Sequence, residues 1–179
     1  MWRILATVGV AFAFVIGCAA PIPDDAPSIA HELFDKHVTT CNSSESAGVQ
    51  RVSFRGDRKF IAWNTAPPIT VGRTGYALLE NLQGTVPEQI SATSLEVPIY
   101  FAIVTQHSAR DVGRYTDGAR AVEASATVCF IEYPEQNVVG SIALIAEAPQ
   151  SAAGRGVRGG CIGCELEAFL ERYSKPYLK

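Results

Sequence analysis

The sequence predicts an α+β domain: an antiparallel sheet of about five strands with a helix near each end, preceded by a cleaved signal peptide. Three observations carry this prediction. Residues 4–16 form an apolar run behind a single charged side chain, Arg3, and the run is too short and too rich in Ala and Gly for a comfortable membrane span. The apolar period is helical over residues 28–39 and again over 165–173, and close to two in much of the chain between. Two alternating stretches, around Gly56-Asp57 and around residues 134–137, are interrupted by turn-forming residues as hairpins are.

The elements follow in order. Residues 19–27 form a tether in which Pro21, Pro23 and Pro27 exclude a sheet or helix interior. Ser28 is placed to cap a helix whose apolar face carries Ile29, Leu33, Phe34 and Val38 and which ends near Thr39. A polar loop follows over residues 42–48. Residues 49–54 and 59–63 are expected to pair as the first hairpin. Pro67, Pro68, Gly72 and Gly75 end that pattern. Residues 76–82 fit a strand or a short helix equally, and residues 85–98 read as loop. Residues 97–106, with Ile99, Tyr100, Phe101, Ile103 and Val104, read as a central strand, and a polar loop is expected over 107–118. The clearest element is the second hairpin, residues 124–133 and 138–147, expected at the centre of the sheet. Residues 150–160, rich in Gly, Ala and Arg, read as a mobile connection. Glu165 then opens a helix bearing Leu166, Phe169 and Leu170, with acidic residues in the first turn where the helix dipole favours them.

The end of the apolar run carries Val15-Ile16-Gly17-Cys18. Branched Val15 and Ile16 suit an extended strand in a peptidase groove, and Gly17 leaves room around the thiol. On these residues the N-terminus resembles a bacterial lipoprotein precursor. The resemblance implies cleavage before Cys18 and lipidation of Cys18. Several acyl chains, at about 0.8 kcal/mol per buried methylene, anchor stably where one chain holds marginally. The competing reading is an ordinary signal cut after Ala20, which would place Pro21 just past the cut. Ala19, where family members kept at the inner membrane commonly carry Asp, implies the outer membrane facing the periplasm in a Gram-negative cell. In a single-membrane bacterium the same anchor faces the cell surface. The expected organisation is a signal peptide over 1–17, lipidated Cys and tether over 18–27, a β-rich domain with its N-terminal helix over 28–149, and a Gly-rich loop with the C-terminal helix over 150–179.

Residues 59–149 resemble a domain that recurs in uncharacterised bacterial proteins. The features are Phe60-Ile61-Ala62-Trp63-Asn64, Pro98-Ile99-Tyr100-Phe101-Ala102-Ile103-Val104, and Tyr133-Pro134-Glu135 leading to Val139-Gly140. This resemblance implies a shared fold and no known activity. Removing residues 1–17 takes Arg3 from the 15 Lys and Arg that stand against 18 Asp and Glu, so the mature chain is mildly acidic. With no basic run, nothing in the charge pattern favours nucleic acid.

Besides Cys18 the chain has Cys41, Cys129, Cys161 and Cys164, an even set that reads as two disulfides in an oxidising compartment. Cys161 and Cys164 can close locally, which leaves Cys41 for Cys129. Crossed pairings that bring both chain ends to Cys129 satisfy the same count. Cys161-Ile162-Gly163-Cys164 ahead of a helix also fits an envelope thiol–disulfide oxidoreductase, because a helix N-terminus makes a thiol more acidic and more reactive. Its place at the chain's end, without a βαβ context, favours a structural bridge instead. His31, His37 and Cys41 lie on or near one helix, yet zinc would need Cys41 reduced, so no metal and no cofactor are expected.

Residues 107–117 gather titratable side chains between two core strands, and His107, Arg110, Asp111, Arg114 and Tyr115 are the candidate partner-binding residues. His107, Ser108 and Asp111 lack a third element that would make them a triad, and no catalytic constellation is read elsewhere. Trp63, Tyr76, Tyr100, Tyr115 and Tyr133 suit a groove for peptide or glycan, or simply the faces of a sheet. The functional expectation is a lipid-anchored, non-catalytic binding or assembly module whose partner is an envelope protein or glycan.

Overall fold

Ile99, Phe101 and Ile103 alternate with Tyr100, Ala102 and Val104, and all six are buried. A strand with an apolar row on each face must be covered twice. That requirement sets the architecture of the computed structural model, which describes residues 21–43, 52–55, 58–71, 74–76, 78–150 and 157–174. The elements are α1 (Ala26–Ser43), β1 (Lys59–Asn64), β2 (Ile69–Val71), β3 (Thr74–Tyr76), β4 (Ile99–Arg114), β5 (Arg120–Tyr133), β6 (Asn137–Ala146), β7 (Val157–Gly159) and α2 (Ile162–Ser174). The main sheet has the order β1-β4-β5-β6, with the short β7 also on β5, and β2-β3 form a separate ribbon. One core, with α1, joins Ala30 and Leu33 to Ile61, Ile99, Phe101, Ile103 and Ile131. The other, with α2, joins Ile162, Leu166 and Leu170 to Phe60, Tyr100, Val128, Phe130 and Leu144.

The class is α+β, but the sheet is mixed rather than antiparallel. β4-β5 and β5-β6 are antiparallel hairpins, whereas β1 runs parallel to β4 and β7 parallel to β5. The expected first hairpin is replaced accordingly. Residues 52–55 carry no strand, and residues 49–51 and 56–57 lie outside the described residues. Phe54 instead enters a ring cluster with Phe60, Tyr100, Phe130 and Tyr173, at centroid distances of 4.9–5.1 Å. Burial of this ring outweighs a local hairpin, because aromatic burial contributes more than a few solvated ladder bonds.

Other expectations shift in ways the packing explains. α1 starts at Ala26, so Ser28 lies inside it rather than capping it. The Ala26 N–H donates to Pro23 O, and Pro27 sits in the first turn, where its missing donor costs nothing. The helix runs past Thr39 to Ser43. Cys41 is bonded to Cys129 there, and the Thr105 hydroxyl donates to Asn42 Oδ1 at 3.2 Å. Within residues 85–98 a 3₁₀ turn forms at Glu88–Ile90, and Thr85 closes another that begins at Gln83. The connection over 150–160 contains β7, while residues 151–156 lie outside the described residues, as do Cys18 and the signal segment.

The largest correction concerns residues 107–118. The expected loop is strand as far as Arg114, with a turn only at residues 115–119. Its partners are not local in character but across the hairpin: Ser108 lies opposite Ser125 and Arg110 opposite Glu123. Polar cross-strand pairs therefore hold a segment whose own hydrophobicity gives no strand signal. The second hairpin is also only half central. β5 lies inside the sheet and β6 at its rim. Gly140 takes φ 154° where the β5-β6 register shifts, and a Cβ there would stand 3.2 Å from Val52 Cγ2.

Candidate functional site

The two long rims of the sheet are built differently. At β1, outward backbone groups of Phe60, Ala62 and Asn64 are matched by residues 78–92. Asn64 N–H donates to Glu80 O (2.8 Å), Leu82 N–H to Ala62 O (3.2 Å), and Ala92 N–H to Phe60 O (2.9 Å). A further group, the Ala62 N–H, is taken by a side chain. Gln83, 1% exposed, accepts from Ala62 N–H at 3.0 Å through Oε1 and donates through Nε2 to Phe60 O at 3.0 Å. Its second Nε2 proton goes to Ser91 Oγ at 2.7 Å. The primary amide thus stands in for one residue of a neighbouring strand, and it satisfies buried polar groups that would otherwise be costly. Sequence reading missed Gln83, since a glutamine in a polar stretch carries no signal of burial.

At β6, among the described residues, no backbone partner lies along the outer side of the ten-residue strand Asn137–Ala146. The strand has no charged residue and no proline, the devices that usually blunt an exposed rim. Each face beside it is hollowed. On the α2 side a groove of ≈ 450 Å³ runs between β6 and α2, lined by Ile142, Leu144, Phe169, Arg172 and Tyr173. On the α1 side a cleft of ≈ 210 Å³ is lined by Gln106, Ser108, Ser125, Thr127, Ala143 and Ile145. α1 ends near Thr105, so this face is uncovered among the described residues, and Ile145 is 61% exposed.

The candidate residues of the expected loop do not converge on one site. Arg110 pairs with Glu123 at 2.7 Å, and Arg120 with Asp111 at 2.5 Å. The hydrogen bond from Arg120, with a second from Gly113 N–H, holds the Asp111 carboxyl below the usual carboxylate range. Arg114 donates to Gly118 O, the Tyr115 hydroxyl donates to Pro149 O, and His107 is half-buried. These contacts stiffen the hairpin arm. The aromatic candidates also part company. Trp63 and Tyr100 are buried on opposite faces, Tyr133 packs against Phe101 on the α1 side, and the Tyr76 side chain lies outside the described residues.

An ionic cluster with a buried central pair, not foreseen from the sequence, sits by the ring cluster. Arg58 bonds Glu132 at 2.5 Å, both side chains 9% exposed, and lies 5.4 Å from the Tyr100 ring centre. Arg55 and Glu135 flank this pair, so charge is balanced within the cluster. His31 is exposed and His37 half-buried, while Cys41 is in a disulfide. Burial, aided by the charge of Lys36, lowers the His37 pKa against a backbone hydrogen bond at Gln136. Among the described residues no three His, Cys, Asp or Glu gather in a metal-binding group.

The cysteines form Cys41–Cys129 and Cys161–Cys164. Both members of the first are 0% exposed, whereas both members of the second are exposed. Among the described residues no helix is long and apolar enough to cross a membrane. No protein-family model, curated protein or solved structure matches the chain.

Proposed function

We propose that the mature chain is a lipid-anchored binding or assembly module of the bacterial cell envelope that takes up an extended segment of a partner protein along β6. The observation that carries this reading is the unpaired, uncharged rim of β6 among the described residues. Strand addition supplies main-chain hydrogen bonds, and alternate side chains of the added segment fall on opposite faces. Here those faces offer an apolar and aromatic groove with the cation of Arg172 on one side and a hydroxyl-lined cleft with Ile145 on the other. A segment alternating acidic or aromatic residues with small ones fits best.

The anchor supports the same reading. If Cys18 carries the lipid, seven residues, 19–25, separate it from the first helical residue, Ala26. Even fully extended they reach only about 30 Å. The domain is then held close to the bilayer, where its partners are other envelope components, in the periplasm for a Gram-negative cell.

The test is photo-crosslinking in intact cells, with the crosslinking side chain at Ala143 or Ile145 and a control at exposed Glu32 on α1. The expected result is a discrete protein adduct from the β6 positions and none from the control. The adduct should vanish with Cys18→Ala, which leaves an unprocessed precursor. No adduct at β6, or an equal yield at Glu32, would remove the proposal.

A further inference from the structure

The two disulfides differ in what would happen if each were opened. Cys41–Cys129 spans 88 residues, and its atoms lie inside the α1-side core. Cys161–Cys164 spans 3 residues and is exposed. α2 has contacts besides the short bond that hold it in place. Ile162, Leu166 and Leu170 are buried in the α2-side core, and the Gly163 backbone lies so close to Thr85 that a Cβ would stand 2.8 Å from its methyl group. The segment between the two cysteines is therefore held by packing as well as by the bond.

The surroundings of Cys161 suit a sulfur that changes charge. It immediately precedes the 13-residue helix α2, and its Sγ accepts the Cys164 N–H at 3.1 Å. The same sulfur, as a thiolate, would keep that hydrogen bond and gain from the helix N-terminus, which stabilises the reduced pair and makes the disulfide easier to open.

We propose that Cys161–Cys164 is an exchangeable disulfide that reacts with the dithiol of a partner protein at Cys161, while Cys41–Cys129 is a permanent staple. In the first step a partner thiolate attacks Cys161 Sγ. A mixed disulfide forms, the Cys161–Cys164 bond breaks, and Cys164 leaves as a thiolate that takes up a proton. In the second step the partner's other thiol, deprotonated, attacks its own sulfur in the mixed disulfide and releases Cys161 as a thiolate. The partner dithiol loses two electrons and two protons, and Cys161 and Cys164 become the reduced pair. The same steps run backward against a partner disulfide. This inference is independent of strand addition at β6.

The test equilibrates the full mature chain with mixtures of reduced and oxidised dithiothreitol, followed by alkylation and peptide mapping. Cys161 and Cys164 should become alkylated at a reduced-to-oxidised ratio at least about a hundredfold lower than Cys41 and Cys129, with the circular dichroism spectrum unchanged. Glutathione disulfide should form an adduct with Cys161 in Cys164→Ser at least about tenfold faster than with Cys164 in Cys161→Ser. Equal resistance of the two bonds, loss of fold when the short bond opens, or equal adduct rates in the two variants would overturn the proposal.

Discussion

β1 and β6 are both outer strands of one sheet, yet one rim is closed and the other open among the described residues. The difference does not lie in the strands' own composition. Lys59-Phe60-Ile61-Ala62-Trp63-Asn64 and the run from Asn137 to Ala146 are both mostly apolar. It lies in what the following chain does. After β1 the chain returns over residues 78–92 and lays its amides, together with the Gln83 side chain, along the strand. After β6 it moves on to β7 and α2, which pack on β5 and on the α2-side face. A sheet rim is thus protected by a specific covering segment rather than by strand sequence, and the rim left without one is the natural place for a partner strand.

The largest effect that would break this contrast is expected at Gln83. Gln83→Leu keeps the volume but leaves the Ala62 N–H and Ser91 hydroxyl without the partner they have now. Denaturant unfolding should show a loss of about 2–4 kcal/mol, and β1 should become the more labile rim. A loss below about 1 kcal/mol would mean that the amide is not what closes it. At β6 the expected stability effect is far smaller. Ile145→Lys adds to the rim the charge it lacks, at a side chain 61% exposed. Stability should stay within about 0.5 kcal/mol, while crosslinking through Ala143 should fall at least tenfold if partner strands dock there. Undiminished crosslinking would argue against strand addition.

Much of the fold was legible where the signal is local. The helical spacing of Leu166, Phe169 and Leu170 found α2, and the alternation around residues 124–147 found the β5-β6 hairpin. The four cysteines, on the expectation of export, read as two bridges, and the local closure that leaves Cys41 for Cys129 is the pairing present. What failed depends on distant parts of the chain. Phe54 leaves a hairpin pattern because rings from β1, β4, β5 and α2 meet around it. Residues 107–114 are strand because Ser125 and Glu123 lie opposite them, not because of their own period. The parallel pairing of Lys59 with Ile99 leaves no trace in either segment alone. The same division applies to the site. The absence of charge from Asn137 to Ala146 is plain in the sequence, but only the arrangement of β7 and α2 reveals that this strand is at a rim. Gln83 shows nothing until its partners are in place.

The contrast between the rims is tested most directly by amide hydrogen exchange, read residue by residue on the purified protein alone. The amides of Ala62 and Asn64, bonded to Gln83 Oε1 and Glu80 O, should be strongly protected. Along β6 protection should alternate, with every second amide between Asn137 and Ala146 bonded to β5 and the others exchanging at least about a hundredfold faster than the β1 pair, a gap of about 2.7 kcal/mol in opening free energy. Uniform protection along β6, equal to that of β1, would mean that the rim is already covered and would contradict the account.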